Sequence, residues 1–129
     1  MEKTIKVLVV DDEINVLRSV QKVIQTKHKD FHIDLCNSPF EGLDALKKET
    51  YHLVITDLMM PGMDGLELIK KIYSIDPSIK IIMITGYATM KTALLAMREG
   101  ANKYISKPFT KNELLSALDE VLDNNETGN

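Results

Sequence analysis

The sequence predicts a single α/β domain, a doubly wound five-stranded parallel sheet built from five successive strand–helix units. Three observations carry this. Apolar blocks of strand length alternate with helical patterns along the whole chain, three of those blocks are apolar almost throughout, and two alternate apolar with polar residues. Continuous apolar runs suit strands covered on both faces, whereas alternation suits strands at a sheet edge. Strand–helix repeats imply parallel neighbours joined by right-handed crossovers.

IKVLVV (5–10) supplies the first strand, and Ile14, Leu17, Val20 and Ile24 fall on one face of the helix after it. FHIDLC (31–36) alternates and is expected at an edge. Ser38-Pro39-Phe40-Glu41 reads as a capping box with proline at the first helical position, so the second helix starts there, with Phe40, Leu43 and Leu46 on its inner face. HLVIT (52–56) is a central strand, followed by a helix carrying Leu66, Ile69 and Ile72. KIIMIT (80–85) is the next central strand, and Gly100 stops the helix beyond it. KYIS (103–106) alternates as the second edge, and Leu114, Leu118 and Val121 mark the last helix. The domain is expected over residues 1–123, with NNETGN (124–129) as a polar tail.

Composition narrows the class. A chain of 129 residues is about one domain and buries roughly two thirds of its unfolded surface. Apolar residues are 44% of it, charged residues 27% and the net charge is −3, which fits a globular protein and neither a disordered chain nor a nucleic-acid coat. The lone cysteine, Cys36, allows no internal disulfide and is expected as a small buried side chain. The start MEKTIKVLVVDDE is unlike a signal peptide, and no apolar segment approaches membrane-spanning length. A cytoplasmic location is the expectation.

The polar residues at the strand ends are more specific. In an open parallel sheet, ligands bind beyond the carboxyl ends of the strands, near the point where strand order reverses. Here the first strand ends at Asp11-Asp12, the third at Asp57, the fourth at Thr85 and the fifth at Lys107-Pro108. Taken singly, an Asp after a strand is usually a cap or a turn residue. Acids at two strand ends, a hydroxyl at the next and Lys-Pro at the last are not demanded by folding. If the strand order is the flavodoxin-like 2-1-3-4-5, three carboxylates converge on one crevice. Two carboxylates about 4 Å apart repel by roughly 4 kcal/mol at an effective dielectric near 20, so the cluster needs a counter-charge. A hard divalent cation, Mg2+, supplies it, and Lys107 adds a second positive charge. With that charge in place Asp57 can attack a phosphoryl group, while Thr85 offers a hydroxyl donor.

At this point the sequence resembles the receiver domains of bacterial two-component response regulators. VLVVDDE, VITDLMMPGMDG, IIMITGYAT and GANKYISKPF stand in the family's order, over about residues 4–123. The stretch MITGYATMKTALLAMREGANKYISKPF is most similar to receivers of enhancer-binding transcription activators, in which ATPase and DNA-binding domains follow. The resemblance implies Asp57 as phosphoacceptor, Asp12 as a direct metal ligand, Asp11 acting mainly through a metal-bound water, and Met59 giving its backbone carbonyl. It implies that Thr85 and Lys107 bind the phosphoryl group and that the Lys107-Pro108 bond is cis. It also implies a sensor histidine kinase as phosphodonor, and an output domain or effector as partner. No direct nucleic-acid contact is expected from this segment, and no membrane contact.

His28, His32 and His52 have no zinc-ligand spacing and are expected at the surface or on an edge strand, so the phosphohistidine comes from outside. In similar domains the hydroxyl at Thr85 shifts toward the phosphoryl group and an aromatic on strand five follows, a position that Tyr104 holds here. Met59 and Tyr87 flank the site and offer no carboxylate or amide to orient water, so autodephosphorylation is expected to be slow. The chain is then a signalling protein that modifies itself, not a turnover enzyme.

ALLAM (93–97) is apolar at every position and sweeps most of a helix's circumference. Either that helix is sunk between its neighbours, or Met90, Leu94, Leu95 and Met97 include an output surface, such as that of a phosphorylation-dependent homodimer. The chain is either a stand-alone receiver or the N-terminal piece of a longer regulator. Two rivals fit less well. A haloacid-dehalogenase-type phosphatase normally carries DxD after strand one, whereas Asp11-Asp12 is followed by Glu13-Ile14. In a flavodoxin-like electron carrier the acids of DDE would repel the flavin phosphate.

Overall fold

The computed structural model describes residues 4–127, with side chains through residue 123. Five strands and five helices alternate: β1 (Lys6–Val10), α1 (Ile14–Lys27), β2 (His32–Cys36), α2 (Pro39–Lys48), β3 (Leu53–Thr56), α3 (Gly65–Ile75), β4 (Lys80–Thr85), α4 (Met90–Glu99), β5 (Lys103–Ser106) and α5 (Lys111–Thr127). The backbone of 124–127, the first part of the polar tail marked in the sequence, continues α5, and 128–129 lie outside the described residues. All strand pairs are parallel, in the order β2-β1-β3-β4-β5. The two alternating segments are the edges and the three continuous apolar runs the centre.

Period-two side-chain alternation divides the core into two layers. Leu8, Val10, Val54, Ile81 and Met83 meet Leu43 and Leu46 of α2, Leu68, Ile69 and Ile72 of α3 and Ala96 of α4. Val7, Val9, Leu53, Ile55, Ile82 and Ile84 meet Leu17, Val20 and Ile24 of α1 and Leu114, Leu118 and Val121 of α5. Each such aliphatic side chain contributes about 1.5–3 kcal/mol by leaving water. That burial on both faces fixes the register, and the register aligns the strand ends.

The helix starts follow their capping chemistry. Ser38 Oγ accepts from Glu41 N at 3.1 Å, while the Glu41 carboxylate accepts from Asn37 N, one residue earlier than a regular capping box. Asp64 caps α3, and Thr89 with Thr92 forms a reciprocal box on α4. Thr110 and Glu113 exchange bonds of the same kind at α5, a box the sequence reading passed over. At Gly100 φ is +121°, which ends α4 as expected.

Two positions depart from the expected inner faces. Ile14 is 51% exposed because it opens α1 beyond the end of the sheet, and Phe40 is 53% exposed, its ring laid against the Gly62 turn and not over the core. Leu66, one residue into α3, is half-buried and packs on the core layer of α3 as expected. In α4 only Ala96 is buried, so the helix is not sunk between its neighbours. Met90 (79%), Leu94 (63%) and Met97 (46%) are exposed, whereas Leu95 is half-buried. Cys36 is buried at the end of β2, and burial pushes its thiol up to about 11. Among the described residues no helix is long and apolar enough to cross a membrane.

Candidate functional site

The ladder itself delivers the carboxylates. Val10 pairs with Cys36 on one side and Thr56 on the other, and the bonds continue one step further: Asp11 N donates to Cys36 O (3.1 Å) and Asp57 N to Val10 O (3.2 Å). Asp11 and Asp57 therefore leave neighbouring strands side by side, at 2% and 5% exposure. Two buried acids at one edge require a counter-charge. Lys107 supplies it from the loop after β5, with its backbone N bonded to Thr85 O at 2.8 Å and its peptide bond to Pro108 in the cis form.

The Lys107 ammonium has three acidic partners. Nζ lies 2.9 Å from Asp57 Oδ2, 3.1 Å from Asp11 Oδ2 and 3.1 Å from Glu13 Oε1. Desolvation works against its charge, but the bonds from Asp57 and Asp11 outweigh that and hold the ammonium well above its ordinary range. Asp11 is pushed up by burial, which exceeds the opposing effect of its bonds from Glu13 N and Lys107. The second carboxylate oxygens are also used: Asp11 Oδ1 accepts from Glu13 N (2.9 Å) and Asp57 Oδ1 from Met59 N (3.2 Å). Those bonds fix the orientation of each carboxylate, with the other oxygen of each turned to Lys107.

The crevice is a cleft of about 330 Å³ lined by Asp12, Glu13, Asp57, Met59, Gly86, Tyr87 and Lys107. Carboxylate oxygens of Asp11, Glu13 and Asp57 lie within 4.8 Å of one another. A set of hard oxygen donors with room for water is what Mg2+ requires. Asp12 is exposed and lines the same cleft outside that trio. Thr85 is fully buried, and its Oγ1 accepts from Tyr87 N at 3.1 Å. Met59 and Tyr87, at 49% and 64% exposure, form the open walls.

Tyr104 stands apart from the carboxylates. Its hydroxyl is 2.7 Å from Thr92 Oγ1, inside the capping box of α4, and its ring packs on the core layer shared with α3 and α4. The exposed Met90, Leu94 and Met97 belong to the same helix. The histidines are all remote: His28 pairs with Asp119 and stacks on Phe31, His32 pairs with Asp34 on the edge strand, and His52 Nδ1 accepts from Lys6 N. Glu13 is the site residue that the sequence reading did not single out. Its signal was a Glu at the cap position of α1, where Ser, Thr, Asp or Asn is the usual choice.

Comparison with known proteins agrees with this geometry. The family model described as "Response regulator receiver domain" matches residues 7–119. The transcriptional regulatory protein YesN of Bacillus subtilis is 35% identical over 120 residues, 91% of this chain and 32% of that protein. More generally, the chain spans 52% or less of the length of the transcriptional regulators compared with it. The receiver domain protein of Methanospirillum hungatei superposes with a TM-score of 0.90 at 30% identity, over 98% of this chain and 100% of that one. The beryllofluoride-activated NtrC4 receiver domain dimer, solved in solution, gives 0.85 at 28% identity, over 92% and 96%. A parallel 2-1-3-4-5 sheet that brings Asp11, Asp57 and Lys107 together thus coincides with a family match over most of the chain: it belongs to the response regulator receiver domains.

Proposed function

We propose that this chain is a phosphorylation-activated receiver that takes a phosphoryl group onto Asp57 in the presence of Mg2+, from a phosphohistidine on a sensor histidine kinase. The observation that carries this reading is the Lys107 ammonium bonded to both Asp57 and Asp11 in a cleft of otherwise acidic character. An Asp57 oxygen forms the new O–P bond as the P–N bond of the donor breaks, and the leaving imidazole keeps the electron pair and picks up a proton. Asp12, Asp57 and the Met59 carbonyl, together with Asp11, would hold Mg2+, which would supply charge neutralisation at the phosphoryl oxygens. Lys107 pairs with the phosphoryl group, and the Thr85 hydroxyl donates to it.

A phosphoryl group adds nearly two negative charges next to Thr85. When Thr85 turns toward it, Tyr104 moves into the space that Thr85 leaves and gives up its bond to Thr92. That carries the change to α4, whose exposed Met90, Leu94 and Met97, flanked by Leu95, form the output face. The partner is an output domain, an effector or a second receiver; the dimer of the similar NtrC4 receiver favours the last. The matched segment is between 24% and 52% of the length of these transcriptional regulators, which supports a receiver that works ahead of further domains, over residues 1–123. Intact mass after incubation with acetyl phosphate tests the chemistry. One added phosphoryl group is expected with Mg2+, and none with EDTA or in Asp57→Asn; addition to Asp57→Asn at the parent rate would remove the assignment.

A further inference from the structure

Glu13 occupies the N-cap of α1 without capping it: its backbone is extended, and its side chain accepts no bond from the first turn. Ser or Asp there would satisfy one of the free N–H groups, so the cap interaction is forgone. The carboxylate reaches instead over the cleft to Lys107 Nζ, at 3.1 Å. It is the exposed member of a trio whose other two, Asp11 and Asp57, are buried. No cap bond accounts for a Glu in this place; the bond its carboxylate makes is the one to Lys107.

Resting on the cation-dependent reading above, we propose that Glu13 is a positioning residue that raises the divalent-cation affinity of this site by holding the Lys107 ammonium. An ammonium bonded only to Asp11 and Asp57 competes in full for the oxygens that a divalent ion needs. Glu13 offers that ammonium a third anion on the open side of the cleft, so it yields those oxygens without leaving the site. The same carboxylate adds a negative charge to the field at the cleft. Both effects favour the cation.

The test is calorimetric titration with Mg2+ of the parent, Glu13→Gln and Glu13→Ser, with melting temperatures taken in EDTA. Removing one charge from a trio whose carboxylate oxygens lie within 4.8 Å of one another would weaken the binding of a divalent ion by about tenfold in a nearly aqueous setting. Both variants are expected to show that loss. Ser restores a helix cap, so Glu13→Ser is expected to melt no lower than the parent in EDTA while binding Mg2+ less well. Affinities within about twofold of the parent's would overturn the proposal, as would a loss of affinity matched by a lower melting temperature in both variants. A parent chain that binds no Mg2+ would instead overturn the cation-dependent reading, and this role with it.

Discussion

Replacing Gly65 with Ala should damage both the fold and the site, because the hydrogen that Gly65 presents faces the loop that carries Asp57. A Cβ at this position would stand 2.7 Å from Leu58 Cα, 2.8 Å from Asp57 O and 2.9 Å from Met83 Cε. Ordinary carbon contacts lie at about 3.5–4.0 Å. Met83 can rotate its terminal methyl away, but the other two contacts are backbone. Nor can α3 withdraw freely, since Gly65 N donates to Leu58 O at 2.6 Å. Overpacking of this kind costs about 1–3 kcal/mol, less up to about 1 kcal/mol from alanine's better helix propensity. For a chain of 129 residues, with an unfolding entropy of about 2.1 cal/mol/K per residue, a net 1–2 kcal/mol lowers the melting temperature by roughly 4–8 °C. Scanning calorimetry reads this directly, with Gly86→Ala as the control. A Cβ at Gly86 meets nothing within 4 Å, so that variant should melt with the parent. Gly65→Ala should also accept phosphate more slowly, since the strain falls on Asp57. A Gly65→Ala chain that melts with Gly86→Ala would refute the claim that close backbone packing fixes the Asp57 loop.

Lys107→Met leaves Asp11 and Asp57 buried without their cation, so chemical denaturation in EDTA should show a loss of about 3–5 kcal/mol, and Mg2+ should recover much of it. Met59→Asn places an amide at the open wall of the cleft, where it can orient water, and a pulse of phosphorylation followed by mass spectrometry should show faster phosphate loss than in the parent. The Cys36 thiol, raised to about 11 by burial and by the nearby Glu41 and Asp34 charges, should resist alkylation at neutral pH until the chain is unfolded. Desolvation of Asp119 is outweighed by its bonds from Lys27 and His28, so its carboxyl lies below the ordinary value of 3.8. A depressed folded value means stability that is present above about pH 4 and lost as pH falls through that lower value. The stability gap between parent and Asp119→Asn should therefore be open at pH 6 and close as pH falls below the ordinary value of 3.8; a gap that persists unchanged in acid would contradict the pairing.

The fold was legible because one physical rule decides most of it: a strand covered on both faces is apolar over nearly its whole length, with polar side chains confined to its ends. IKVLVV, HLVIT and KIIMIT obey that rule, and they became the three central strands. Periodicity served less well at helix starts, where the first turn projects past the sheet. Ile14 and Phe40 share the spacing of core residues but lie where there is no core to meet. At the site, Asp11, Asp57, Thr85 and Lys107 could be read as neighbours at one end of the sheet, since the register that buries the strands also aligns their termini. Glu13 escaped because its spacing from Lys107 exists only in three dimensions. So did the link from Tyr104 to Thr92, which joins β5 to the cap of α4 across twelve residues of sequence.

The most direct test of the account is to locate the phosphoryl group. The chain would be loaded with acetyl phosphate and Mg2+, reduced with borohydride, which turns an aspartyl phosphate into homoserine, and mapped by peptide mass spectrometry. Homoserine at position 57 alone is the predicted result. Homoserine at Asp11 or Asp12, or the longer 5-hydroxynorvaline at Glu13, would contradict the claim that strand register and Lys107 single out one carboxylate.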